Sequence, residues 1–243
     1  MTTDRRLSAR MEPFDSYWQA PEDIESGYAS FYQFYKGNYL KHLPGDRSVR
    51  SLVVSCGPGY MVRLLVDLGY EHVLGIDSDP KKIAYAEQRK LNCRAARAFP
   101  FLEEHPGAFD LIICEQELNH LNLEEIEAFL KLCRAALRPG GTLFVYGLNG
   151  ANPITGSEAL AQNIDHFNTF TEYSLRQILE HCGFSAIRVL PLRLYVFYRN
   201  PLNYVGLAVT ATLELIFRAL FALYGKSNRI FTKKIAAVCR KPA

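Results

Sequence analysis

Gly57, Gly59 and Asp77 are the residues whose types and spacing promise chemistry. The stretch Leu52-Val53-Val54-Ser55-Cys56-Gly57-Pro58-Gly59-Tyr60 reads as a buried strand, a tight glycine turn and the entry to a helix over 60–68. A glycine turn between strand and helix lets bare backbone N–H groups approach a ligand and aims a helix N-terminus at it. Val73-Leu74-Gly75-Ile76-Asp77 then reads as a second strand ending in a carboxylate, placed to accept hydrogen bonds from ribose hydroxyls. Together they predict a site for a ribose-bearing cofactor. A dinucleotide site needs a third glycine, and Val62 stands at that position. The plain alternative is an ordinary strand-to-helix turn.

The elements that must position these residues alternate. Strands are expected at about 51–55, 72–77, 92–97, 109–114 and 142–147, with helices at 60–68, 80–90 and 123–137 between them. Such alternation calls for a parallel sheet covered by helices on both faces. Arg138-Pro139-Gly140-Gly141 reads as a helix stop and a turn into the fifth strand. A helix at 171–182 and strands at 186–192 and 234–240 complete the pattern. Ahead of it, Tyr28, Tyr32, Tyr35 and Tyr39 are spaced for one face of a helix that starts near Pro21.

The bulk numbers fit one α/β domain of 243 residues. Met1 to Arg10 is polar, without the apolar run of a secretory leader. Six scattered cysteines, with no C-x-x-C spacing, read as reduced thiols of a cytosolic protein rather than a zinc site or disulfide frame. No spacing demands a metal. Charge is uneven: from Leu190 onward nine Lys/Arg face one acid, Glu214, while the rest of the chain is net acidic. A basic C-terminal quarter suggests an anionic surface or ligand there.

The motif through Gly57 and Gly59 resembles motif I of the class I S-adenosylmethionine (SAM) methyltransferases. Phe109-Asp110-Leu111-Ile112-Ile113-Cys114 resembles their fourth-strand motif, and Arg138-Pro139-Gly140-Gly141-Thr142-Leu143 their turn before the fifth strand. Phe170-Thr171, Leu175 and Gly183-Phe184 match their last helix. More narrowly, Asn149-Gly150-Ala151-Asn152-Pro153 and Asp165-His166-Phe167-Asn168-Thr169-Phe170-Thr171 look like methyltransferases of surface-polysaccharide biosynthesis clusters. The resemblance implies a Rossmann-like fold: a mostly parallel seven-stranded sheet with helices on both faces. An N-terminal helical cap over 1–45 would act as a lid, 46–192 would be the SAM-binding core, 193–232 a helical insert and 233–243 the last strand. It implies SAM as cofactor, held by Ser55, Cys56, Gly57, Gly59, Tyr60, Asp77, Ser78, Glu115 and the backbone near Ala98 and Phe99. Three positions depart from the family pattern: Val53 and Arg97 replace acids, and Ser55 replaces a glycine.

Methyl transfer from a sulfonium is an in-line displacement, so the protein chiefly aligns nucleophile, methyl and sulfur. An oxygen nucleophile also needs a base, and His is the commonest choice. His166, beside a potentially orienting Asp165, and His120 are candidates, each with a plain alternative as a loop anchor. Glu115 and Glu117 follow the fourth strand and could touch cofactor or acceptor, or be exposed loop acids. The resemblance thus implies an O-methyltransferase acting on a sugar hydroxyl of a polysaccharide or lipid-linked glycan. The alternatives are a small-molecule enzyme acting on a quinone or phenol, and a non-catalytic SAM-binding partner in glycan assembly.

Residues 193–232 separate two strands that ordinarily form a hairpin. Tyr204 to Tyr224 is apolar except for Thr210, Thr212, Glu214 and Arg218, and Glu214 can pair with Arg218. The length would span a bilayer, but a span would pull two neighbouring strands apart and would carry central charges. The helix is expected either to pack on the fold or a homodimer partner, or to lie in the cytoplasmic leaflet with its flanking cations on anionic lipid. Nucleic acid is not expected, because the cations flank an apolar helix rather than line a groove with exposed aromatics.

Overall fold

The computed structural model describes residues 21–161, 166–195 and 199–243. Seven strands form one sheet: β1 Arg50–Val54, β2 His72–Asp77, β3 Cys93–Ala95, β4 Phe109–Glu117, β5 Leu137–Leu148, β6 Ser185–Leu192 and β7 Lys234–Arg240. The order is β3-β2-β1-β4-β5-β7-β6. β1 to β5 pair in parallel, and β7 runs antiparallel between β5 and β6. The helices are α1 Pro21–Asn38, α2 Tyr60–Asp67, α3 Pro80–Gln88, α4 Ala98–Glu104, α5 Leu123–Ala136, α6 Glu158–Ala161, α7 Glu172–His181 and α8 Pro201–Leu223.

Local chemistry explains the helix starts. Asp79 accepts from the Lys81 N–H at the start of α3, with Pro80 in the first turn, where its missing N–H costs nothing. Asn122 and Glu125 form a reciprocal capping box on α5. The central strands are apolar on both faces because both are covered. Leu52, Ile112 and Leu143 belong to the layer facing α5 and α7, whereas Val53, Leu111 and Phe144 belong to the layer facing α1 and α2. All six cysteines are buried free thiols.

The expected alternation holds, with three local differences. The Arg138-Pro139-Gly140-Gly141 segment lies inside β5 rather than before it, because Gly140 and Lys241 keep the ladder with the C-terminal end going. The register between β4 and β5 shifts between Phe109 and Leu111 and again between Ile113 and Glu117. The short helices α4 and α6 carry little periodic signal, at seven and four residues, and were not expected.

The N-terminal helix packs across the start of α2. Tyr35 and Tyr39 of its aromatic stripe are buried at 4% and 3% exposure. Phe31 stacks on Tyr60 at 4.6 Å, and the Tyr60 hydroxyl donates to the Ile24 carbonyl at 3.1 Å. The stripe is therefore both core packing and cover for the glycine turn.

The insert leaves and re-enters the sheet at one place, since Leu192 and Lys234 face each other in the β6–β7 ladder. Lys234 also pairs with Leu148 at the carboxyl end of β5. The whole excursion therefore stands at the edge of the sheet where β1, β2 and β4 also end.

Candidate active site

The strand register builds the site. Val54 lies between Ile76 and Cys114. Ser55, Asp77 and Glu115, the next residues on β1, β2 and β4, thus come abreast at the carboxyl edge. The order of strands reverses here: the chain runs outward from β1 to β3, then restarts at β4 on the other side. Ligands of open α/β sheets sit in the crevice at such a reversal.

The glycine turn is held by Asp77. Its Oδ2 accepts from the Gly57 N–H at 2.8 Å, and its Oδ1 accepts from the Asp79 N–H at 2.9 Å. Burial pushes the Asp77 carboxyl above the ordinary aspartate value, while the two N–H groups pull the other way. Ser55 is left-handed at φ 55°, which explains why the methyltransferase pattern places a glycine there. Gly59 is also left-handed, at φ 92°, and a Cβ on it would come within 2.8 Å of Leu91. A Cβ on Gly57 would meet no atom within 4 Å, so its outer side faces open space.

Glu115 closes the other side. Its Oε2 accepts from the Tyr35 hydroxyl of the lid, and its backbone carbonyl accepts from the Tyr146 hydroxyl at 2.5 Å. Its Oε1 is buried with no partner among the described residues. Burial raises the Glu115 carboxyl to about 7, against opposing pulls from the Tyr35 hydrogen bond and Lys234. Burial and the neighbouring Glu115 push the Tyr35 phenol well up in turn. The Tyr28 hydroxyl donates to the Pro58 carbonyl, tying the lid to the glycine turn itself.

The two histidines expected as bases come together. The His120 and His166 rings meet edge to face with centroids 4.6 Å apart. His166 Nδ1 sits on the Ala159 carbonyl. A carbonyl only accepts, so Nδ1 carries a proton there, and whenever the ring is neutral the lone pair is on Nε2. Next to His120, Asn119 is fully buried and both polar atoms of its amide lack a partner among the described residues.

Other expected residues play different parts. The Cys56 side chain points into the core, where it and Cys93 flank Gly75, and its N–H is bound to the Ile76 carbonyl. Tyr60 is committed to α1 as described above. The Phe99 side chain is buried at 1% exposure against Phe129, which leaves only its backbone at the site edge. Ala98 opens α4 after Arg97, and Ser78 lies in the half-buried link between β2 and α3. Glu117 pairs with Tyr146 through the backbone, but its side chain lies outside the described residues, as does Asp165. Tyr28, Tyr35, Asn119 and Tyr146 were not singled out as site residues. Only the aromatic spacing hinted at the first two.

The Asn149-Gly150-Ala151-Asn152 stretch acts as a clamp. Asn149 Nδ2 donates to the Ile230 and Thr232 carbonyls, and Asn152 Nδ2 to that of Phe231. These bonds fasten the loop after β5 to the segment returning from α8.

Comparison with known proteins agrees with this geometry. Residues 52–141, which hold the glycine turn, Asp77 and Glu115, match the family model described as a methyltransferase domain. The core of this chain is similar to a methyltransferase domain and shares the fold of SAM-dependent methyltransferases. The fold superposes on a SAM-dependent methyltransferase from Archaeoglobus fulgidus with a TM-score of 0.60 at 16% identity, covering 93% of this chain and 97% of that one. Haemonchus contortus phosphoethanolamine N-methyltransferase 2, solved in complex with SAM, gives 0.59 at 15% identity over 96% of this chain and 61% of that one. Among curated relatives, the human mitochondrial ubiquinone biosynthesis O-methyltransferase is 26% identical over 86% of this chain and 64% of its own length. The enzyme of the same name from Xanthomonas campestris pv. campestris is 31% identical over 49% of this chain and 52% of its own length. The chain thus spans about a third to two thirds of the length of the curated relatives it matches.

The residues present fit SAM. The open side of Gly57, the remaining lone pairs of Asp77 and the buried Glu115 Oε1 supply space and acceptors for hydroxyl and ammonium groups. Of the three departures, Val53 is fully buried in the core and Arg97 is an exposed helix cap. Neither intrudes on the turn.

Proposed function

We propose that this chain is an active SAM-dependent O-methyltransferase whose acceptor is a small hydroxylated molecule of quinone or phenol type. The His120–His166 pair carries the reading: two imidazoles in edge-to-face contact, with His166 Nδ1 on the Ala159 carbonyl, on the same sheet edge as the glycine turn. Such a group can take a hydroxyl proton as the oxygen attacks. Bound SAM would supply a methyl group on a positively charged sulfonium, whose sulfur leaves as a neutral thioether, so no acid is needed on the departing side. The Gly57 turn, Asp77 and Glu115 would hold the cofactor, and Tyr28 and Tyr35 would close the lid over it and exclude water.

The curated relatives named above are O-methyltransferases of ubiquinone biosynthesis, which favours the small-molecule acceptor. The sugar-hydroxyl acceptor gains no such support. Asn149 and Asn152, in the stretch that suggested it, are occupied in the clamp. The chain is read as one methyltransferase unit with a cap over 1–45, a core over 46–192, an insert over 193–232 and the last strand over 233–243. The reading places it on the cytoplasmic side as a peripheral protein of the membrane surface, where an amphiphilic acceptor would be met.

The test is a labelled-SAM assay over catechol, hydroxyquinone and sugar acceptors, with His166→Ala as control. Transfer to the aromatic acceptors that falls at least tenfold in the variant supports the reading. Transfer to sugars alone, or none together with no affinity for S-adenosylhomocysteine, overturns it.

A further inference from the structure

Helix α8 is apolar on its outer side as well as on the side that faces the protein. Thr210 and Glu214 face the protein, where with Leu213 and Phe217 they line a cavity of about 170 Å³ against Leu192 and Phe231. Arg218 donates to the Arg229 carbonyl at 2.7 Å, while its charge still acts on the Glu214 carboxyl. The outward side carries Val205, Val209, Leu215 and Ile216 at 59%, 53%, 64% and 48% exposure, and Leu223 at 84%. Soluble helices turn their apolar stripe to the core, and an exposed apolar face of this extent marks an interaction site.

We propose that this outer face docks in the plane of an anionic lipid bilayer and holds the carboxyl edge of the sheet against it. The inference deepens the peripheral placement given above and rests on it. The charges complement such a surface. Arg199 precedes the helix, Lys226 and Arg229 follow it, and the exposed face has no acid. The helix lies flat rather than spanning: the segment returning after it packs Phe231 against Phe217 and Phe221, at 6.1 and 4.6 Å between centroids. The Asn149–Asn152 clamp fixes that segment to the fold. A second copy of the chain fits less well. Two α8 helices packed antiparallel about a two-fold would set Arg199 against Lys226 and Arg229, and packed parallel would set like ends together, so cations meet cations either way. A bilayer instead takes the apolar face among its acyl chains and the cations among its phosphates.

The experiment is co-sedimentation of the full chain with phosphatidylcholine vesicles, with and without phosphatidylglycerol, beside sedimentation velocity without lipid. The expected result is binding that requires the anionic lipid. It should fall at least tenfold in Leu215→Asp/Ile216→Asp, whose exposed positions leave the fold intact by circular dichroism. Lys226→Glu/Arg229→Glu should lose the preference for anionic vesicles. Unchanged sedimentation of the Leu215→Asp/Ile216→Asp variant overturns the proposal. So does a dimer in the parent chain that this variant converts to monomer, which would assign the face to a second copy. Titration with S-adenosylhomocysteine on the same samples reads the methyltransferase assignment separately, since a variant can lose vesicles and keep the cofactor product.

Discussion

The carboxylate of Asp77 and the backbone N–H of Gly57 are joined across the tips of two neighbouring strands by a 2.8 Å hydrogen bond. The acid that would meet the cofactor's ribose is therefore also the group that shapes the loop beneath the cofactor. Asp77→Asn keeps one acceptor but places an amide opposite an N–H donor. Affinity for S-adenosylhomocysteine is expected to fall at least about tenfold, equivalent to ~1.4 kcal/mol, by isothermal titration. Melting temperature should fall too, because the buried turn loses a charge-assisted bond. An affinity equal to the parent's would remove Asp77 from the site.

Glu115 predicts a pH dependence of stability. Its carboxyl titrates near 7 in the folded chain against about 4.3 in an unfolded one. The folded state therefore holds a proton that the unfolded state has lost, and stability falls as pH rises between those values. Above about 7 the penalty is complete. Glu115→Gln carries no such penalty, so the ligand-free variant should gain on the parent at pH 8 and not at pH 4.5. A relative gain of at least about 2 °C by calorimetry is expected. A pH-independent difference would mean that the carboxyl titrates alike in the folded and unfolded chain, so that burial does not raise it.

Tyr35→Phe tests the lid contact. The Tyr35 hydroxyl favours ionised Glu115, so its loss should move the Glu115 transition upward in pH. The same melting series, with the phenylalanine variant as host, reads that shift.

Gly75 predicts a packing failure. A Cβ there would stand 2.8 Å from Cys56 Sγ, Cys93 Sγ and Val62. Gly75→Ala should cost about 1–3 kcal/mol in overpacking, seen as a lower midpoint in urea with the secondary structure retained.

His166 and His120 should differ in turnover. Removing the base costs a factor of about 10²–10⁴, and the Nε2 lone pair assigns that role to His166. His166→Ala should therefore lose more kcat than His120→Ala, with S-adenosylhomocysteine affinity unchanged in both. The reverse order would assign the proton transfer to His120.

Much of this was legible in the chain because local and global signals agree. Strand, glycine turn, helix and acid recur at spacings that one parallel sheet explains, and Asp77 stands where that pattern puts it. What was not legible depends on long-range packing. Tyr35 reaches Glu115 across 80 positions of sequence, and nothing near either residue announces the other. Tyr60 and Phe99 occupy positions the resemblance assigns to the cofactor, yet their side chains serve the lid and the core. The direction of α8 was equally hidden, because Thr210 and Glu214 mark a stripe in the sequence without saying whether it faces in or out.

Leu192 and Lys234 stand opposite each other, so everything strung between them hangs from a single doorway in the sheet wall. Such a module can be traded, lengthened or cut back to a tight turn while the wall and its catalytic rim keep their shape. Related chains could thus change where they work, and what they meet there, by rewriting that one excursion.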